Sequence, residues 1–221
     1  MKPLTFTEEI VLLALDDKTG APLPLPATAL SYGLAGAVLT DLAVAGKVDT
    51  DDKKLTVLDA TATGDPLLDP WLALIAAEKV PHAVAHWLSV LADRQQEIEQ
   101  PALDRLISRG ILQRQDKKIL WVIGLRRYPT IDGHERTAVR TRLGQLILGD
   151  DIPDPRDAIM ISLLSGCRLT DKIFTGPEFS VREKRLETLA KMDLVGREVA
   201  AATTEAIDAL TGAMNAAVPH M

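Results

Sequence analysis

The stretch ALSYGLAGAVLTDLAVAG at residues 29–46 predicts the centre of the fold. It reads as a helix over about residues 27–45 that stops at Gly46, a residue type common just after helix ends. Gly33 and Gly36 lower helix propensity by about 1 kcal/mol each relative to alanine. We infer that another helix approaches closely at these two positions and compensates for the loss. This is a packing signal that requires no ligand.

Helices are also predicted on both sides of this stretch. Thr5 and Glu8 have capping-box spacing, and the apolar run that follows predicts a central first helix. Proline suits the first position of the helices expected at about residues 66, 81 and 101. The expected ranges are 66–78, 81–94, 101–109, 134–148, 155–165, 181–192 and 194–214. With neither a linker nor a repeat, we predict a single mainly α, compact multi-helix domain over residues 1–221.

Two segments read as β-hairpins. Residues 47–59 predict a short hairpin around a polar turn. Residues 110–125, GILQRQDKKILWVIGL, predict an antiparallel hairpin that projects from the helical body and has QRQDKK at its tip. Ile119, Trp121 and Ile123 alternate with other apolar residues, so both faces of this arm are apolar. An uncovered apolar face and an open strand edge predict self-association or partner binding through these three residues.

Charge is unevenly distributed along the chain. The net charge is −6, yet residues 105–142 hold ten lysines and arginines against three acidic residues. A basic band on an acidic body favours an anionic partner at one face. Equally, the acidic body can neutralise the band by folding against it, and the sequence leaves both interpretations open. Nucleic acid is not expected, because the pI is about 5.3 and no recognised binding motif is present.

The sequence nominates no active site, cofactor or metal. His82 and His86 share one face of a predicted helix, but zinc needs three or four ligands and none lie nearby. No phosphate-cradling glycine loop or nucleophile elbow occurs. Cys167, the single cysteine, is expected to be a buried small hydrophobe. No run approaches the roughly 18 apolar residues of a membrane span, and no secretory signal pattern occurs, so a cytoplasmic location is expected.

A collinear series of motifs carries a family resemblance. In chain order these are LTFTEEIVLLALDD, SYGLAGAVLTDLAVAGKV, TGDPLLDPWL, RLISRGIL, VRTRLGQLIL and DPRDAIMISLL. From about residue 4 to about residue 200, the chain resembles the Golgi phosphoprotein 3 family. The resemblance implies a mostly helical domain with a projecting hairpin and a non-enzymatic peripheral Golgi adaptor. Such adaptors bind phosphatidylinositol 4-phosphate, glycosyltransferase tails and coatomer, and self-associate through the hairpin. The chain resembles a compact bacterial-type member without the N-terminal extension of eukaryotic members.

The resemblance also implies a lipid pocket, whose residues are not found here. The tryptophan before the second helix corresponds to Pro26, and the arginine inside that helix to Ala35. The two arginines ahead of the hairpin correspond to Gln96 and Glu99. A phosphorylated inositol carries several negative charges and needs charge-assisted arginine contacts. We therefore expect most of the affinity for that lipid to be lost.

Eight basic residues remain as candidates for binding lipid or another anion. Three lie near the missing pocket arginines and five along the hairpin: Arg94, Arg105, Arg109, Arg114, Lys117, Lys118, Arg126 and Arg127. The first functional interpretation is a non-enzymatic peripheral adaptor that meets anionic lipid or a protein partner at the inner face of the membrane. The second is a soluble interaction or regulatory protein that oligomerises through its hairpin without lipid binding. The third is an enzyme with an unrecognised site.

Overall fold

The computed structural model describes residues 3–51, 54–116, 126–131 and 133–216, and most of them are helical. The helices are α1 Phe6–Leu13, α2 Ala29–Val44, α3 Asp69–Ala76, α4 Val84–Ala92, α5 Gln95–Ser108, α6 His134–Leu148, α7 Pro155–Gly166, α8 Thr170–Ile173, α9 Pro177–Ser180, α10 Glu183–Ala190 and α11 Leu194–Ala216. The mainly α fold class is confirmed. In the described ranges, no helix is both long enough and apolar enough to cross a membrane.

Helix α2 lies at the centre of the core and packs against α1, α4, α5, α7 and α11. A Cβ added at Gly33 would lie 2.7 Å from the Cβ of Cys167, and one added at Gly36 would lie 2.5 Å from Cγ2 of Val199. The predicted close approach of other helices at these glycines is therefore confirmed. Cys167 is fully buried, as expected.

The first helix begins where the sequence places it. The amide of Glu8 donates to Oγ1 of Thr5 at 3.1 Å, and the amide of Thr5 donates to the Glu8 carboxylate at 2.8 Å. These two bonds form the predicted capping box. Every residue of α1 is buried, so it is a central helix.

Three other helix predictions were wrong in detail. The helix expected at 101 begins at Gln95, so Pro101 lies inside α5 rather than at its start. The helix expected at 181–192 is the shorter α10, which begins at Glu183 and ends at Ala190, and the separate short helix α9 precedes it. The helix expected from 81 begins at Val84, because Ala83 is extended and belongs to a strand.

The short hairpin is confirmed and gains a third strand. Strands β1 Val48–Asp51 and β2 Lys54–Val57 pair antiparallel, with Val48 opposite Val57. Strand β3, His82–Ala83, adds to the other side of β2, so the sheet order is β1-β2-β3. This sheet packs against α2 and α4.

The second hairpin is described only at its base. Strand β4, Gln115–Asp116, pairs antiparallel with β5, Arg126–Arg127. Gln115 and Asp116 therefore lie in a paired strand rather than at the tip, and the returning arm extends beyond 125. The amide of Tyr128 donates to the carbonyl of Gly20 at 2.8 Å, so the turn after α1 supports this base. Residues 117–125, including Lys117, Lys118, Ile119, Trp121 and Ile123, lie outside the described residues.

Candidate functional site

A cavity of about 590 Å³ opens where the start of α2 meets the junction between α4 and α5. Its lining is mostly polar: Thr28, Ser31, Tyr32, Ala92, Asp93, Arg94, Gln95, Gln96, Glu97 and Glu99. Two of the four positions assigned to the lipid pocket, Gln96 and Glu99, thus face the same space. Arg94, one of the candidate basic residues, also lines it.

The charge of this cavity is negative. Arg94 faces three carboxylates, those of Asp93, Glu97 and Glu99, so the lining carries two more negative than positive formal charges. The amide nitrogen of the Gln95 side chain donates to the Glu99 carboxylate at 2.8 Å, which orients that carboxylate. The arrangement suits neutral or cationic groups better than a phosphate.

The N-termini of two helices make the electrostatic potential in this cavity less negative without reversing its sign. Helices α2 and α5 both begin beside the cavity, and neither first turn has a side-chain cap. Their amide groups favour anions by about 0.3–1 kcal/mol per helix end. Glu97 already lies in the first turn of α5 and interacts with that end. The excess of carboxylates therefore sets the sign of the potential.

A second cavity of about 520 Å³ continues along α5 toward the base of the hairpin. It shares Gln96, Glu97 and Glu99 with the first cavity, and Tyr128 lies at its far side. Its lining in the described part of the chain contains no lysine or arginine. The groove along the first half of α5 is therefore acidic over both cavities.

The candidate arginines further along α5 do not line either cavity. Arg105 forms a two-pronged ion pair with Asp65, in which Nη1 donates to Oδ2 at 2.9 Å. The hydrogen bond with Asp65 raises the pKa of Arg105 further. Nη1 of Arg109 lies 3.4 Å from both carboxylate oxygens of buried Glu8. These contacts join α5 to the loop before α3 and to α1.

Three further arginines of the basic band also contact carboxylates. Arg136 and Arg140 both contact Asp17, at 2.5 and 2.6 Å. Arg142 donates through Nε to Asp157 at 2.7 Å. Together with Arg105 and Arg109, five of the ten basic residues at 105–142 are paired with the acidic body. The structure thus favours neutralisation for that half of the band.

Three of the five hairpin candidates, Arg114, Arg126 and Arg127, lie around its base. Arg114 is exposed and precedes β4. In β5, Arg127 lies opposite Gln115 and Arg126 lies opposite Asp116. Arg114 was expected at the tip, and its place beside the paired strands moves it closer to the helical body. The structure therefore describes the arginines at the base of the hairpin, whereas Lys117 and Lys118 lie outside the described residues.

The sequence profile of one known family covers most of this chain. The family described as Golgi phosphoprotein 3 (GPP34) matches residues 6–209. The chain belongs to this family. It is also similar to vacuolar protein sorting-associated protein 74 of Eremothecium gossypii, with 24% identity over 161 residues that cover 63% of this chain and 48% of the relative. The protein of the same name from Schizosaccharomyces pombe is 25% identical over 161 residues, covering 63% and 47%. The chain spans about half the length of these curated relatives.

The remaining two family pocket positions lie apart from the cavity lining. Ala35 is fully buried within α2, in the hydrophobic core. Pro26 is half-buried in the segment before α2 and does not belong to the cavity lining. An arginine at position 35 would enter tightly packed helix contacts in this family member.

Sequence reasoning missed a buried acidic cluster at the first turn of α1. Asp41 accepts hydrogen bonds from the amides of Phe6 and Thr7 at 2.9 and 3.0 Å and from the Thr7 hydroxyl at 2.7 Å. Burial raises the pKa of Asp41 to about 6. Nearby, Arg156 donates to buried Glu9 at 2.9 Å. The paired glutamates after Thr7 were a signal for this, since buried glutamates require basic partners.

The histidine pair and the single cysteine, which could carry chemistry, both have structural surroundings. The rings of His82 and His86 stack with centroids 4.4 Å apart, but His82 lies in β3 and His86 in α4, so the prediction of one helix face was wrong. Within the described ranges, no three His, Cys, Asp or Glu side chains are placed to hold a metal. Burial raises the pKa of the Cys167 thiol to about 12, which makes it unreactive.

Proposed function

We propose that this family member is a non-enzymatic adaptor whose cavity at the start of α2 does not select phosphatidylinositol 4-phosphate. The observation that carries the proposal is the lining of three carboxylates and one guanidinium. A phosphoinositide headgroup brings several negative charges, and each carboxylate within a few ångströms opposes it. Arg94 alone cannot supply the several charge-assisted contacts that such a headgroup needs.

Membrane attraction would then come from the hairpin and would be weak and salt-sensitive. A basic residue near an anionic surface contributes about 1 kcal/mol, and the attraction fades beyond a Debye length. Candidates are Arg114, Lys117, Lys118, Arg126 and Arg127. Arginines already paired with the acidic body contribute little to this. A monomer would therefore bind marginally, and an oligomer that presents several hairpins would bind better.

Liposome flotation tests the proposal directly. Vesicles with graded anionic lipid, with and without phosphatidylinositol 4-phosphate, are compared at low and physiological salt. We expect binding that follows total anionic charge, falls with salt and shows no preference for the phosphoinositide. Tight, salt-resistant binding that requires the phosphoinositide would show that Arg94 suffices and that the proposal is wrong.

A gain-of-function variant tests whether added positive charge in the cavity is sufficient for phosphoinositide selectivity. Gln96→Arg with Glu99→Arg places two guanidinium groups in the cavity and should create a preference for phosphoinositide vesicles. Thr204→Arg with Glu205→Arg on exposed positions of α11 makes the same net charge change and is the matched control. The cavity pair should gain selectivity and the α11 pair only general attraction. Equal selectivity of the two double variants would show that the charge of the cavity does not determine lipid selectivity.

A second candidate function is a soluble interaction protein that oligomerises through the hairpin. The pairing of five band arginines with carboxylates supports it, because it leaves fewer charges for a membrane. Failure of the wild type to float with any anionic liposome would favour this function. Sedimentation of the wild type against Trp121→Asp tests the self-association that both functions use. We expect the substitution to reduce association, and monomeric behaviour of both proteins at high concentration would contradict it.

A further inference from the structure

A separate cavity of about 430 Å³ lies between α6 and the segment that joins α8 to α9. This volume is within the range of small-molecule sites and equals that of roughly fourteen water molecules in the liquid. The cavity shares no lining residue with either of the two cavities along α5. A ligand here would therefore bind at a place distinct from the acidic groove.

The walls of this cavity are largely apolar. Phe174 and Phe179 contribute two half-buried aromatic rings, whose centroids lie 5.0 Å apart. Leu148 and Ile173 contribute aliphatic surface. On α6, a Cβ added at Gly144 would lie 3.6 Å from ring atoms of both phenylalanines, so the helix approaches the rings with no side chain between them. Covering the exposed parts of these rings removes apolar surface from water, which favours a ligand with an apolar body.

One end of this cavity carries positive charge. Arg140 is the single charged residue of the described lining, and its side chain is 40% exposed. Its Nη2 donates to the carbonyl of Ile173 at 3.2 Å, and Ile173 also lines the cavity, so the guanidinium lies at that end. Its Nη1 donates to Asp17 at 2.6 Å. These bonds use two of the five N–H groups of a guanidinium, and the others can donate to a ligand.

The residues beyond Arg140 keep that end positive. A smaller cavity of about 210 Å³ adjoins the first at this arginine, and its described lining has three basic residues and two acidic ones: Arg136, Arg140, Lys172, Asp16 and Asp17. Asp17 is paired with Arg136 as well as with Arg140, so its charge is already balanced. The remaining excess of one positive charge favours a ligand with a single negative charge.

We propose that the cavity between α6 and α9 binds a small amphipathic monocarboxylate. Its apolar body packs on the rings of Phe174 and Phe179, and its carboxylate accepts hydrogen bonds from the Arg140 guanidinium. The volume limits such a ligand to about fourteen non-hydrogen atoms. Hydrogen bonds between a guanidinium and a carboxylate are stronger than those of neutral groups, so Arg140 sets a preference for the carboxylate over a neutral head group of the same shape.

A suitable probe is 4-phenylbutyrate, because it joins one aromatic ring to one carboxylate. The chain has three phenylalanines, so labelling with 4-fluorophenylalanine gives three fluorine signals, which Phe174→Leu and Phe179→Leu assign. Titration of the wild type should move the Phe174 and Phe179 signals in a saturable way, with a dissociation constant on the order of 1 mM. The signal of Phe6, which is buried in α1 and does not line the cavity, should not move.

Two analogues with the same apolar body test the head group. The neutral 4-phenylbutanamide should bind the wild type about tenfold more weakly than the carboxylate, because it loses the charge-assisted hydrogen bonds to Arg140. The cationic 4-phenylbutylammonium should bind more weakly still, because it meets a like charge.

Substitutions of Arg140 test the source of this preference. Arg140→Gln should give the carboxylate and the amide equal affinities and leave the affinity for the amide as in the wild type, because the apolar walls are unchanged. Arg140→Lys keeps the positive charge and should retain most of the preference. Lys54→Gln removes a positive charge at an exposed position of β2 and is the control that should bind like the wild type. The proposal would be overturned by the absence of a saturable shift of the two ring signals, by equal binding of carboxylate and amide to the wild type, or by a carboxylate preference that persists in Arg140→Gln.

Discussion

The contact between α2 and α7 gives the sharpest prediction about stability, through the substitution Gly33→Ala. Alanine at an interior helical position is favoured over glycine by about 1 kcal/mol. Against this, the new Cβ would lie 2.7 Å from the Cβ of Cys167, whereas ordinary contact begins at 3.4 Å. Both atoms are attached directly to helix backbones, so neither can rotate away. The two helices must therefore separate, and the packing along their contact weakens.

The magnitude follows from these opposing effects. Overpacking of a well-packed core costs about 1–3 kcal/mol, and a contact between two backbone-fixed atoms belongs at the upper end. After the propensity gain is subtracted, Gly33→Ala should lower the unfolding free energy by about 2 kcal/mol. For a chain of this length, the melting temperature should fall by roughly 6 °C. Circular dichroism during thermal and urea unfolding measures both quantities.

A second glycine provides the matched control with the opposite sign. At Gly144 in α6, the added Cβ would lie 3.6 Å from ring atoms of Phe174 and Phe179, which is ordinary contact. Gly144→Ala should therefore raise the melting temperature by roughly 3 °C. Cys167→Gly removes the opposing Cβ and should therefore reduce the destabilisation that Gly33→Ala causes. The coupling free energy in the double variant should be at least about 1 kcal/mol. If the two alanine substitutions shift stability in the same direction, or the double variant is additive, the steric reasoning is wrong.

Three further predictions concern residues whose surroundings the structure defines. The pKa of Asp41 is raised from 3.8 to about 6, so the stability that its protonated carboxyl contributes is full below about pH 4 and is lost as pH rises through 6. In urea unfolding over that range, the free energy of unfolding of the wild type should fall by about 3 kcal/mol relative to that of Asp41→Asn. A difference that stays constant with pH would contradict this. Cys167 should resist a thiol reagent in the folded protein and react fully in concentrated guanidinium, and modification of the folded protein would refute its burial. Arg105→Ala should lower the unfolding free energy by about 2 kcal/mol through loss of the Asp65 ion pair and leave liposome flotation unchanged, whereas reduced flotation would show that Arg105 binds lipid.

Local patterns predicted those parts of the fold that short-range chemistry controls. The capping box at Thr5 and Glu8 involves residues three apart, and Gly33 and Gly36 report directly on the space beside their own helix. The start of α5 was missed because its first turn, Gln95 to Glu97, is polar and lacks a side-chain cap. Pro101 then looked like a helix start, although a proline inside a helix is tolerated when tertiary packing outweighs the lost hydrogen bond.

Long-range pairing accounts for what the sequence left open at the candidate site. The family resemblance implies a lipid-pocket role for positions 96 and 99, and the structure places both at one cavity. The pairing of Arg105 with Asp65 and of Arg109 with Glu8 joins residues 40 and 101 positions apart. No local pattern reveals such partners. No local pattern reveals the pairing of β3 with β2 either, which keeps His82 and Ala83 extended where the sequence predicted the start of a helix.

These ion pairs also support our proposal that Arg105 and Arg109 do not replace the arginines implied for the family pocket. Arg105 lies six residues beyond Glu99, which is about 9 Å further along the axis of α5. It would have to leave a two-pronged contact with Asp65 to reach the cavity, and the partly buried Asp65 carboxylate would then lose its cation. Arg109 is further away still and faces Glu8, which is almost completely buried. Removing one partner of such a pair costs several kcal/mol, more than a single phosphate contact returns. Of the three candidate arginines Arg94, Arg105 and Arg109, Arg94 at the N-cap of α5 is therefore the one placed to contact a ligand in this cavity. Its neighbours Asp93 and Glu97 favour a ligand that is not a polyanion.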